Sequence, residues 1–177
     1  MNDKLPIYYI STLLVILVFA AIFVLKEVIK TRLSENTFSK LQKKLKSSKG
    51  TAEEYYQLAS LYLDKKLFSQ SIGLFEKALK ADKKLPAENI ALIHNAMGYA
   101  YFAQEQYDIA IRKYKDALKA YPEYVVALNN LGNVYEKKQL IAQAVEAYDE
   151  VLKYDPNNKT AKRRSESLKK RLVNSNT

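Results

Sequence analysis

The sequence predicts an all-α chain: a single N-terminal transmembrane helix, then an α-solenoid of three helix pairs closed by a C-terminal capping helix. Two observations carry this. One is an uncharged apolar stretch, IYYISTLLVILVFAAIFVL, from Ile7 to Leu25. The other is a phrase that returns, ALKADK at 78–83, ALKAYP at 117–122 and VLKYDP at 151–156, the last two 34 residues apart. Composition narrows function as well. The 177 residues carry a net charge of +10 but no cysteine, no tryptophan, one histidine and four glycines. Glycine-rich loops and clustered His or Cys, from which catalytic pockets and metal sites are built, have little raw material here. No nucleophile–base pair or phosphate-binding loop can be found either, so the expectation is a protein that is not an enzyme and holds no cofactor or metal. Without cysteine there is also no disulfide framework.

Residues 1–6 are expected to be a short flank on the far side of a membrane, and 7–25 the span itself. At a 1.5 Å rise per residue the span covers about 28 Å, close to the roughly 30 Å of a hydrocarbon core. It exceeds the roughly 7 to 15 residue apolar core of a cleaved signal, and its flank is barely basic because Asp3 offsets Lys4, which favours an uncleaved anchor. Tyr8 and Tyr9 suit the headgroup zone at one edge. Lys26, Lys30, Arg32, Lys40, Lys43 and Lys44 follow the span while Lys4 alone precedes it, so the body of the protein should face the cytoplasm or its plastid equivalent, the stroma. Residues 26–50 read as a basic juxtamembrane helix or linker ended by Gly50, with Val28, Ile29, Leu33, Phe38, Leu41 and Leu45 at spacings of three and four. Its basic face suits anionic headgroups, and a solvated helical spacer fits the same residues.

From 52 onward the echo becomes a register. Leu58, Met97 and Leu131 share a column, as do Ala59, Gly98 and Gly132, and Tyr62, Tyr101 and Tyr135. Ser71, Ala110 and Ala144 align next, then Phe75, Tyr114 and Tyr148, then Ala78, Ala117 and Val151. Small and aromatic residues alternating in this order at a 34-residue period are the signature of the tetratricopeptide repeat (TPR), in which two helices, A and B, bury their apolar faces against the next pair. The repeats are placed at 52–85, 91–124 and 125–158. Gly98 and Ala110 should face each other where the helices cross, with Tyr101 and Tyr114 beside them. Pro122 and Pro156 should end their B helices. The first repeat has Lys83 instead of proline, and the second starts five residues late. Either helix B of the first or helix A of the second should therefore be extended across LPAEN, with Pro86, Ala87 and Glu88 suited to a first turn. Residues 159–173 keep a thin apolar line, Ala161, Leu168 and Leu172, in a basic capping helix.

The A helices of such a solenoid line a concave groove. The groove positions are Tyr56, Ser60 and Leu63; Asn95, Tyr99 and Phe102; and Asn129, Asn133 and Glu136. Aromatic rings offer contact area and amides can bond a peptide backbone, which makes Tyr56, Asn95, Tyr99, Phe102, Asn129 and Asn133 candidate peptide-binding residues. Packing of Tyr99 or Phe102 against a neighbouring repeat or against the inserted residues is the competing account. A basic clamp for a terminal carboxylate would need cations, and the corresponding positions hold Tyr56, Ser60, Ala96, Val126 and Asn130. His94 stands alone and reads as structural. The basic tail with Lys162, Arg163, Arg164, Lys169, Lys170 and Arg171 lacks interleaved aromatic residues, so no nucleic-acid partner is expected.

The anchor, the segment ENIALIHNAMGYAYFAQEQYDIAIRKYKDALKAYPEYVVALNNLGNVYEKKQL and the ending DPNNKTAKRRSESLKKRL together resemble the small membrane-anchored TPR proteins of cyanobacteria and algal plastids that are associated with photosystem I assembly and stability. The resemblance implies a thylakoid location with a lumenal N-terminus, a stromal or cytoplasmic repeat domain, and photosystem I subunits or other assembly factors as partners. A membrane-tethered adaptor serving membrane-protein insertion or quality control in general is the alternative. Oligomeric state is not legible.

Overall fold

The computed structural model describes residues 5–174; most of the flank expected at 1–6 lies outside them. The described residues form eight helices and no strand: α1 (Leu5–Ser47), α2 (Ala52–Asp64), α3 (Phe68–Ala81), α4 (Ala87–Ala103), α5 (Tyr107–Ala120), α6 (Val125–Lys137), α7 (Ile141–Tyr154) and α8 (Lys159–Asn174). They fall into two compact units, α1 and the chain from Ser48 onward.

The sequence separates an apolar span from a basic helix, but the backbone makes no such division: α1 is one helix of 43 residues. Neither proline nor glycine occurs between Pro6 and Gly50 to interrupt it. It ends at Ser47, ahead of Gly50, where the serine hydroxyl donates back to the Lys43 and Lys44 carbonyls at 3.4 and 3.1 Å. Its apolar part reaches a mean hydropathy of 2.6 with none of that window buried, and among the described helices it alone is long and apolar enough to cross a membrane. The hydroxyls inside this part are satisfied within the helix, Ser11 donating to the Tyr8 carbonyl at 3.0 Å and Thr12 at 2.9 Å. A bilayer would require that, because it offers no water to replace them.

In the second unit α2 packs on α3, α4 on α5, α6 on α7, and each pair packs on the next, with α8 on α7. Each A helix leaves through the same turn. Lys66, Glu105 and Gln139 adopt left-handed backbone angles, φ 59°, 60° and 59°. One residue further on, the amides of Leu67, Gln106 and Leu140 donate to the carbonyls of Tyr62, Tyr101 and Tyr135, each at 2.9 Å. That bond closes the helix end and reverses the chain. The tyrosine column thus sets the turn through its backbone as well as packing through its ring.

The aligned columns make the core. Leu58, Met97 and Leu131, then Phe75, Tyr114 and Tyr148, are all buried, as are the small residues between them. One detail differs from the sequence reading. The close approach at Gly98 is set by the Tyr114 ring more than by Ala110: a Cβ on Gly98 would lie 2.6 Å from Tyr114 Cε1, and one on Gly132 would lie 2.8 Å from Tyr148 Cε1. The first repeat does without the glycine. There Ala59 sits in the column, Phe75 replaces the tyrosine, and the buried Ser71 hydroxyl donates to the Ala59 carbonyl at 2.8 Å.

The five-residue delay extends helix A of the second pair. α4 has 17 residues against 13 in α2 and in α6, whereas α3 keeps the 14 residues of α5 and α7. Pro86 caps α4 instead of opening its first turn, and its carbonyl accepts from the Ile90 amide at 3.1 Å. Pro122 and Pro156 follow directly on the C-caps of α5 and α7. α8 buries Ala161, Ser165 and Leu168, a stripe at spacings of four and three, and Ser165 donates to Asp149 on α7 at 2.6 Å.

Candidate peptide-binding face

α2, α4 and α6 present the predicted groove positions in register, and the side chains there divide into occupied and open. Tyr56 is half-buried, with its ring 5.6 Å from that of Phe75. Phe102 is also half-buried, 5.7 Å from the Tyr107 ring and packed on the core. Much of the area of these two rings is already spent on the fold. Tyr99 is 49% exposed and is the aromatic surface that remains.

The amides divide in the same way. Asn130 Nδ2 donates to Asn95 Oδ1 at 2.9 Å, which ties α6 to α4 and uses the acceptor of a predicted binding residue. Asn129 Nδ2 donates to its own helix at the Val125 carbonyl, 3.2 Å away, while its Oδ1 is buried and has no hydrogen-bond partner among the described residues. An acceptor in that condition costs roughly 1–3 kcal/mol until a donor reaches it. Asn133 is half-buried on the same helix.

Glu136 is not open. Its carboxylate accepts from the Tyr148 hydroxyl at 2.7 Å and from Arg164 of α8 at 2.9 and 3.1 Å. It joins α6, α7 and the capping helix, and it holds the buried Tyr148 phenol above its ordinary pKa, burial being the larger cause and this bond the next. His94 is half-buried with an unpartnered Nδ1, and burial lowers its pKa. Among the described residues no group of three or more His, Cys, Asp or Glu could hold a metal ion.

Two further residues of this face stand outside the candidate peptide-binding set, Val126 being named above only as a clamp position without a cation. Leu92 and Val126 are 40% and 49% exposed and stand three residues before Asn95 and Asn129. With Tyr99 they make three large apolar surfaces on α4 and α6. The signal was present, since Leu92, Asn95, Tyr99 and Phe102 follow helical spacing along one face of α4. The face therefore offers apolar contact through Leu92, Tyr99 and Val126 and no cationic clamp, while the buried Asn129 Oδ1 is closed to a partner in this arrangement.

Two tetratricopeptide-repeat family models match the chain, over residues 51–123 and 95–162. The protein ycf37 of Cyanophora paradoxa is 39% identical over 93% of this chain and 95% of its own length, and ycf37 of Guillardia theta is 33% identical over 98% and 97%. This chain belongs to the ycf37 family of TPR proteins. A further relative is the chloroplastic TPR protein PYG7 of Arabidopsis thaliana, 32% identical over 96% of this chain, which spans only 56% of the PYG7 length. Solved structures share the fold: MamA, with a TM-score of 0.68 at 22% identity over 78% of this chain and 80% of that one, and YrrB, with 0.66 at 19% over 82% and 72%. The ycf37 fold seen here is that of a protein-interaction scaffold, a type that is not typically catalytic.

Proposed function

We propose that this protein is a non-catalytic, thylakoid-anchored scaffold that assists the assembly or stability of photosystem I. Its α2–α4–α6 face holds a stroma-exposed segment of a photosystem I subunit or of a fellow assembly factor. In this reading residues 1–6 face the lumen, 7–25 span the membrane once, 26–50 lead out of it, and the repeats at 52–85, 91–124 and 125–158 with the cap at 159–173 stand on the stromal or cytoplasmic side. The observation that carries the scaffold role is the open face itself, with Leu92, Tyr99 and Val126 exposed along α4 and α6. The apolar helix followed by basic residues supports the anchor and its polarity. Relatives that include a chloroplastic protein support the compartment, and the resemblance described from the sequence supports the photosystem.

The test is affinity purification of the C-terminally tagged protein from mildly solubilised thylakoids, followed by mass spectrometry. Photosystem I subunits or their assembly factors should be enriched over photosystem II and translocon components. Recovery of insertion machinery or ribosomes in their place would refute the photosystem assignment in favour of a general adaptor.

A further inference from the structure

The residues by which the second repeat starts late, Pro86 to Ile90, are required by nothing in the repeat, since the third follows the second directly. In the structure they do local work. They lengthen α4 at its start, and beside that added turn, between α2 and α4, lies a pocket of about 240 Å³. Its floor is Ala52 and Ile93, both buried; its walls are Leu85, Leu92 and the Tyr56 ring; Glu53 and Asn89 complete it. Asn89 belongs to this irregular segment and Leu85 stands directly before it, so the departure from the 34-residue period helps to build the pocket.

Size and chemistry limit the occupant. The volume falls below the roughly 300–1,000 Å³ of sites that enclose a cofactor, and it suits a single side chain. The walls are apolar, and the polar groups on offer are a carboxylate, an amide and the face of a tyrosine ring. No lysine or arginine lines the pocket, although the chain carries 29 of them. Glu53 is not consumed by the fold in the way its neighbour is: Glu54 completes the capping box with Thr51, accepting from the Thr51 amide at 3.1 Å, whereas Glu53 accepts only a 3.5 Å contact from Gln57. A long aliphatic stem with a cationic head matches all of these. Such a stem buries along apolar walls while its head stays at a polar rim, where a carboxylate and an aromatic face both attract it.

We infer that this pocket receives the side chain of a lysine or arginine from an extended segment of a partner polypeptide, the stem against Leu85, Leu92 and Ile93 and the cation between Glu53 and the Tyr56 ring. The inference deepens the scaffold reading and rests on it. It also names a partner chemistry opposite to that of acidic terminal tails.

The full-length protein in its native membranes, carrying a benzophenone amino acid in place of Leu85 or, separately, of Tyr99, provides the test. After illumination, the adducts are sequenced by mass spectrometry. Adducts from position 85 should fall within about three residues of a lysine or arginine, the ~10 Å that extended chain covers. Their yield should drop about tenfold in Glu53→Gln and further in Glu53→Arg, while adducts from position 99 persist and the circular dichroism spectrum is unchanged. Adducts from 85 that lie away from basic residues, that are made with lipid, or that ignore Glu53 would overturn the inference and leave the binding face intact. Silence at 85 with reaction at 99 would do the same. Silence at both positions would overturn the binding face as well.

Discussion

Gly98 and Gly73 are both helical glycines, and the structure predicts opposite outcomes for the same substitution. At Gly73, in α3, an added Cβ meets nothing within 4 Å. Gly73→Ala should therefore express only the gain of replacing glycine inside a helix, about 0.5–1 kcal/mol of added stability. At Gly98 the new Cβ would stand 2.6, 2.7 and 3.0 Å from three atoms of the Tyr114 ring. That ring is 1% exposed, so it cannot swing away into solvent. Overpacking of a filled core costs roughly 1–3 kcal/mol. Set against the helical gain, Gly98→Ala should lose about 0.5–2 kcal/mol. A cycle with Tyr114→Ala separates the terms: once the ring is gone, Gly98→Ala should be neutral or stabilising, a coupling of about 1–3 kcal/mol. Urea unfolding of the full-length protein in mild detergent, followed by near-ultraviolet circular dichroism, reads the repeats selectively, because every tyrosine except Tyr8 and Tyr9 lies there and tryptophan is absent. Gly98→Ala with unchanged or increased stability would refute both the repeat register and the ring-on-glycine packing.

Gln139→Gly should stabilise by about 0.5–1 kcal/mol in the same assay, because a left-handed residue with a Cβ costs roughly 1–2 kcal/mol and the greater freedom of unfolded glycine returns part of that. Glu136→Ala removes the acceptor of the Tyr148 hydroxyl and the partner of Arg164, and should cost about 1–3 kcal/mol, with loss of α8 protection in hydrogen exchange. His94 has a folded pKa below its unfolded value of 6.5, so the unfolded state takes up protons first as pH falls. Stability should be level above that value and decline as pH drops below it towards the folded pKa, and His94→Gln should flatten the melting temperature between about pH 7 and 5.

Most of the fold was legible because each requirement of a repeat is stated several times. A buried small residue and a buried ring recur at fixed spacing, and even the left-handed turn recurs, although Lys66, Glu105 and Gln139 share no chemistry that would announce it. The unbroken α1 was less legible, because composition changes at Lys26 while the backbone requirement does not. At the candidate face, helical spacing places the predicted positions along α2, α4 and α6 but does not say which groups there are already bonded. Asn95 and Asn129 occupy equivalent positions, yet one is bonded across repeats and the other keeps an unpaired acceptor. Glu136 looked open in sequence because its partners, Tyr148 and Arg164, lie 12 and 28 residues away.

Departures of the repeats from their period bear on function. Positions that repeat are held by the solenoid itself, so they describe the fold and little else. Departures from the period are released from that duty and acquire local consequences. Ser71 in an alanine column gives the first pair a hydrogen bond between its helices. Lys83 in a proline position precedes a lengthened α4, whose added turn supplies Asn89 to a pocket. Leu92 and Val126, where the first repeat has Glu53, give the second and third repeats an apolar surface and leave the carboxylate at the first. The face is therefore graded along its length, acidic at α2 and apolar with amides at α4 and α6. A segment bound along it would meet a different chemistry at each repeat, which fixes its direction as well as its place.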